Sequence, residues 1–175
     1  MSGGKVMAWL VFTLVIAVIV HAVTLIALPH LIMSRAMSKM GGFNTIHNDR
    51  RVDETSRGVV RPSPDLLYSS CPYDLSAGPL HVHAPVPPGT YWSVSAFDAD
   101  TNNYFVHNDR HAGGVVDFFV VRGGGGRPQP GSEIVQSPTQ RGLLLFRTLI
   151  NDEGRFASID AARRMATCDR NAVTR

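Results

Sequence analysis

Arg61–Val106, RPSPDLLYSSCPYDLSAGPLHVHAPVPPGTYWSVSAFDADTNNYFV, is the stretch that decides the fold class. Within it Leu80–Ala84 alternates Leu, His, Val, His, Ala. In an extended strand Leu80, Val82 and Ala84 therefore share one face, and His81 and His83 the other. Pro85–Gly89 cannot prolong a paired strand, because proline donates no ladder hydrogen bond and glycine eases a tight turn. Thr90–Phe97 (TYWSVSAF) is rich in aromatic and β-branched residues and predicts a second strand. Trp92, Val94 and Ala96 point one way, and Tyr91, Ser93, Ser95 and Phe97 the other. Asp98–Asn103 has the composition of a turn, and Tyr104–His107 opens the next strand. Antiparallel hairpins follow from this pattern.

The same signals continue on both sides. Upstream, Gly58–Arg61 starts the first strand. Downstream, Val115–Arg122 (VVDFFVVR) is apolar enough to be buried on both faces. Gly123–Gly126 and Arg127–Pro130 follow, and backbone amides in such a run can cradle an anion. The spacing matches neither the dinucleotide fingerprint nor the P-loop, so a hairpin loop is the reading. Glu133–Gln136 and Leu143–Ile150 (LLLFRTLI) are further strands, and Arg147 faces solvent or an acidic partner. Ser158–Ala166 carries a short helical pattern of Ile159, Ala162 and Ala166. Short strands at this spacing predict a mainly β fold, a small antiparallel β-sandwich or partial barrel with a short C-terminal helix.

A single N-terminal transmembrane helix is expected to precede that domain. Val6–Leu28 is a run of 23 residues without Asp, Glu, Lys or Arg. A helix of that length crosses a hydrocarbon core of roughly 30 Å. The apolar part of a cleaved signal peptide is shorter, about 7–15 residues, and ends in small residues, whereas Ala27–Leu28–Pro29 is a poor cleavage site. A retained anchor is the reading, with Leu31–Met40 either continuing the helix or lying on the membrane surface. The domain organisation is then 1–40 anchor and juxtamembrane segment, 41–57 linker, and 58–175 β-rich soluble domain. Lys5 on one side nearly balances Arg35 and Lys39 on the other, so charge does not set the orientation. The net charge of +3 is mild and the arginines are scattered, which excludes a nucleic-acid partner. No cofactor signature is present in the sequence.

Two sets of residues invite chemistry on their own. Cys71 and Cys168 either close a long loop in an oxidising compartment or are two separate thiols, and their spacing makes no zinc signature. His81, His83, His107 and His111 are metal-ligand candidates, since ligands on adjacent strands need not be close in sequence. A histidine pair at i and i+2 is equally a solvent-facing strand pattern.

The central stretch also resembles a bacterial family catalogued as domain of unknown function twelve fifty-four. The resemblance rests on Val60, Pro62, Asp65, Leu67, Tyr68 and Ser69, then Asp74, Leu75, Ser76, Gly78 and Pro79. Tyr91 and Trp92 stand for the family's aromatic pair, and Asp98, Thr101 and Asn102 for its turn. Ser63, Leu66 and Thr90 depart from the pattern, where the family tends to have Asn, Thr and Arg. The resemblance implies candidate binding positions at Asp65, Tyr68, Asp98, Thr101 and Asn102. A carboxylate pair there can serve as general acid and base, while Asp and Asn in such a turn equally cap backbone amides. The resemblance and the two cysteines imply a bacterial inner-membrane protein with a periplasmic domain. Longer members of the family carry a second β-domain, catalogued as twelve fourteen, and this chain ends at Arg175. The expectation is a binding or assembly module, held to lipid by its helix, with a partner membrane protein supplying the complementary domain. That partner would cover the apolar strand Leu143–Ile150 unless the C-terminal helix does. The alternative is a metal-dependent or acid/base enzyme using the Asp98–Asn102 turn and the nearby histidines.

Overall fold

With no charge and no glycine between Val6 and Pro29 to interrupt it, the apolar leader forms one helix, α1, from Gly3 to Lys39. A computed structural model of the chain describes residues 3–53, 55–56, 62–123 and 131–170. At 1.5 Å per residue, α1 is about 55 Å long. It is long and apolar enough to cross a membrane, and its side chains through residue 26 are exposed. Burial begins only beyond Pro29, at Met33, Ala36 and Met37, the i, i+3, i+4 spacing of one helix face. Leu31–Met40 is thus a helical continuation that docks on the domain. Gly41 releases the chain at φ +96°, where a side chain would be strained and a Cβ would meet the His47 ring at 2.9 Å.

Among the described residues nine strands form two sheets. The first has the order β1-β2-β8-β4-β5, with β1 His47–Asn48, β2 Leu66–Asp74, β4 Trp92–Asp98, β5 Asn103–Asn108 and β8 Arg141–Leu149. The second has the order β7-β6-β3-β9, with β3 Leu80–Pro85, β6 Val115–Val121, β7 Glu133–Gln136 and β9 Thr167–Asp169. All pairings are antiparallel except β6 with β7. One core fills the space between the sheets, built from Cys71, Tyr73, Trp92, Val94, Ala96, Leu144 and Phe146 on one side and Leu80, Val82, Val116, Phe118 and Val120 on the other. The fold is mainly β, with the short helix α2 at Phe156–Arg164, as the alternating patterns predict.

Three expectations change. First, β2 occupies LLYSSCPYD, a run between the strands expected at Gly58–Arg61 and Leu80–Ala84. Proline is tolerated here because the Pro72 carbonyl accepts the Asn44 N–H on the side away from β8. Its missing N–H lies on that same side, so the ladder to β8 loses nothing. Second, residues 43–53 are part of the domain rather than a linker. His47 and Asn48 pair with Ser70 and Ser69, and Arg51 bonds Glu153 at 2.9 Å. Third, β8 is the centre of its sheet, paired along both edges. Leu143 on its outer face is covered by Met33 and Met37 of α1, while α2 lies elsewhere. The strand expected at Gly58–Arg61 and most of the glycine loop fall outside the described residues.

Two covalent and polar ties close the β1–β9 side. Cys71 of β2 and Cys168 of β9 form a disulfide joining the two sheets, with Cα atoms 6.5 Å apart across 97 residues. Arg163 of α2 is buried, and its guanidinium donates to the Tyr68 carbonyl at 2.6 Å, the Asp49 carbonyl at 3.1 Å and Ser69 Oγ at 3.2 Å. Asp160 balances its charge. A buried guanidinium persists only when its donors are met in this way.

Candidate functional site

The outer face of the five-stranded sheet follows from its register. Tyr68, Arg147 and Ser93 lie side by side on β2, β8 and β4. Two residues along, on the same face, come Ser70, Leu145 and Ser95, and after them Pro72, Leu143 and Phe97. The last row lies under α1, and Ser70, Ser93 and Ser95 of the other two are buried. The first two rows are rich in hydroxyl groups and centre on Arg147. Its Nη2 donates to Ser95 Oγ at 2.8 Å, while Tyr91 Oη donates to Ser93 Oγ at 2.9 Å. Tyr68 Oη accepts the Ser63 N–H at 3.0 Å. Arg147 has no carboxylate partner among the described residues, and its Nε is buried without an acceptor.

Leaving a buried donor unsatisfied costs about 1–3 kcal/mol, and more for a charged group. The guanidinium is a planar fork whose neighbouring N–H groups match a carboxylate or phosphate in two bonds. Here it lies beside hydroxyls that can donate or accept. The arrangement is suited to receiving an anionic group, and among the described residues it contains no nucleophile–base pair.

The family-matched positions do not converge on one point. Tyr68 is opposite Arg147 and Asp98 is opposite Gly142, five residues along β8. At about 3.4 Å per residue they are some 17 Å apart. Asp65 is exposed at the Tyr68 end, so it and Asp98 cannot act as a pair on one substrate bond. Asp98 instead builds the β4–β5 turn. It is 4% exposed, and its Oδ1 accepts the Asp100 and Asn102 N–H groups at 2.9 and 2.8 Å. Its Oδ2 accepts Asn102 Nδ2 at 3.0 Å. These bonds hold Thr101 at φ +69°, a left-handed conformation costly for a β-branched residue.

The four candidate histidines separate into two pairs, His81 and His83 on β3, and His107 on β5 with His111 in the turn after it. His81 Nε2 and His83 Nδ1 each lie 2.9 Å from a different oxygen of Asp117. Burial works against the Asp117 charge, but the hydrogen bonds from His83 and His81 outweigh it and hold the carboxyl below the usual range. His107 stacks on Phe105 and lies 3.8 Å from Glu133, and His111 Nδ1 is 2.8 Å from Asn108 Oδ1. Among the described residues no group of three or more His, Cys, Asp and Glu side chains is placed to hold a metal.

Sequence reading missed one polar cluster entirely. Tyr73 Oη is 2.9 Å from both Tyr104 Oη and Ser137 Oγ, and 3.3 Å from the Phe97 carbonyl. Burial pushes both phenols above their ordinary range. The signal was Gly142, whose absent side chain leaves room for the Tyr73 ring: a Cβ there would sit 2.2 Å from Tyr73 Oη.

The described residues form a β-sandwich behind a helix long and apolar enough to cross a membrane. The chain belongs to the family described as protein of unknown function DUF1254, whose model matches residues 43–170. No curated protein matches it. Among solved structures it is similar to the VPA0106 protein from Vibrio parahaemolyticus, with a TM-score of 0.58 and 17% identity over 64% of this chain and 29% of that one. It also matches an uncharacterised protein from Burkholderia cenocepacia, with a TM-score of 0.46 and 17% identity over 62% of this chain and 32% of that one. The chain therefore spans less than a third of the length of either structure. The Vibrio likeness shows the fold.

Proposed function

We propose that this chain is a membrane-anchored binding module of the bacterial inner membrane whose sheet face around Arg147 receives an acidic group from a partner membrane protein. The observation that carries this reading is Arg147 itself, half-buried with an unpaired Nε and no carboxylate among the described residues. A carboxylate arriving there replaces water at a desolvated guanidinium, where charged hydrogen bonds are worth about 1.5–3 kcal/mol. The periplasmic side of the membrane is supported by the Cys71–Cys168 disulfide, which persists in oxidising compartments. Partner and module in one membrane share a raised effective concentration, so a single contact of this strength matters.

Co-purification from native membranes after mild detergent extraction tests the reading. The wild type is expected to bring down a partner that Arg147→Ala loses by about tenfold or more, the equivalent of 1.4 kcal/mol. Arg147→Lys, which keeps the charge but not the fork, recovers only part. Recovery of the wild-type chain alone, as a monomer, overturns the proposal. A reporter fused after Arg175 that works only in the cytoplasm overturns the periplasmic placement.

A further inference from the structure

His30 lies two residues beyond the end of the apolar run Val6–Leu28, a rise of about 3 Å along α1. Its Nδ1 is 3.1 Å from Asp100 Oδ1, in the turn between β4 and β5. The headgroup layer on each side of a bilayer is roughly 5–8 Å deep, the difference between a hydrocarbon core of about 30 Å and a full thickness of 40–45 Å. A residue touching His30 therefore lies inside that layer whenever the run spans the membrane. The next two residues of the helix, Leu31 and Ile32, are about half exposed, at 53% and 49%, although both are large and apolar. Exposed apolar side chains at this height are expected of a helix still within the interface.

The same end of the sandwich is crowded around that contact. His30, Ala99, Asp100, Thr139, Gln140 and Arg141 line an open groove of about 320 Å³ between α1 and the loops. Ala99 N–H donates to Thr139 Oγ1 at 3.0 Å, so the two loops are held together. Arg141 is the cation here, and its side chain is 57% exposed despite its bond to Asp74. Arg141 also lies over the Phe43 ring, so at headgroup depth it would meet lipid phosphate with the exposed part of its side chain. The other end of the sheet, with Tyr68 and α2, is some 17 Å farther along β8.

We infer that the end of the sandwich formed by the Asp98–Asn102 turn and the Thr139–Arg141 loop rests in the phospholipid headgroup layer, so that the domain sits on the bilayer rather than above it. This rests on the reading of α1 as a membrane span. The family-matched turn is then a lipid-contacting element, which accounts for a turn this heavily braced on a buried carboxylate.

Depth-dependent quenching of the full chain tests it. Single-cysteine variants Leu28→Cys, Gln140→Cys and Ala161→Cys, with the native disulfide intact, are labelled with a small fluorophore and reconstituted into phosphatidylcholine–phosphatidylglycerol vesicles. A spin label on the lipid headgroup is the quencher. Melting of each variant checks that it folds, and Asn102→Cys replaces Gln140→Cys if that loop is disturbed. Labels at Leu28 and Gln140 are expected to lose most of their fluorescence and the label at Ala161 little. Strong quenching at Leu28 with none at Gln140 overturns the inference and leaves the span intact. No quenching at Leu28 shows that the span itself is wrong, and the inference falls with it.

Discussion

Replacing Asp98 with alanine asks whether the family-matched turn is architecture. The substitution removes three accepted hydrogen bonds, from the N–H groups of Asp100 and Asn102 and from Asn102 Nδ2. Asp100 and Asn102 are exposed, so water reaches the freed donors and each loss falls near the net value for one bond. Removing a cap-like acceptor costs about 0.5–2 kcal/mol, and here three bonds go together, so about 2 kcal/mol is expected. For a domain of this size each kcal/mol is worth roughly 3–5 °C, which puts the drop near 6–10 °C. Asp98→Asn keeps an oxygen for the two backbone donors and should lose about half as much. The assay is thermal unfolding of the full chain in detergent, followed by circular dichroism with the disulfide intact. A melting temperature at or above the wild type refutes the reasoning, because it would mean that the carboxylate is kept at the expense of stability.

Other outcomes follow from the same structure. Reducing the Cys71–Cys168 bond frees a loop of 97 residues, and the chain-entropy estimate is a loss of roughly 4–5 kcal/mol, readable as a fall in the urea midpoint with reductant. Gly142→Ala drives a methyl into Tyr73 Oη and the Phe97 carbonyl, so about 3 kcal/mol or more is expected to be lost. Tyr73→Phe should not rescue it, because the ring carbon Cζ is itself only 2.4 Å away from that Cβ. Burial opposes the charge on Asp74, but hydrogen bonds from Ser76, Arg141 and Gln140 hold its pKa at about 2, below the ordinary 3.8. Its contribution is therefore complete above the ordinary value and is lost as pH falls from there towards 2. Asp74→Asn should flatten that limb of an acid-unfolding curve, and an unchanged limb would show that the carboxylate does not contribute.

The sequence carried the strands whose faces differ in chemistry. Leu80, Val82 and Ala84 against His81 and His83 gave β3, and Trp92, Val94 and Ala96 gave β4, because alternation records which face meets the core. It hid β2, since Ser69, Ser70, Cys71 and Pro72 have turn composition and become a strand only by pairing with β8. It also hid the order of the sheet, because a run such as LLLFRTLI looks the same at a centre as at a covered edge. Arg147 was visible as a cation in an apolar strand. That its Nε is buried among hydroxyls from β4 is a property of strand register, which no local pattern contains. The Asp98 turn was legible as a turn, but its position beside His30 depends on where a helix seventy residues upstream comes to rest.

The central place of β8 also sets the order in which this chain can fold. β2 and β4 do not pair with each other; β8 lies between them and pairs with both. The contacts are long in sequence, from Asp74 with Arg141 to Leu66 with Leu149. Contacts of this kind slow folding, because the loop must close before the pairing rewards it. Until residues 141–149 have emerged, two apolar strands stand with bare inner edges, the species most prone to pair with the wrong chain. A nascent or translocating chain would thus hold β2 and β4 apart until β8 arrives and joins them from both sides.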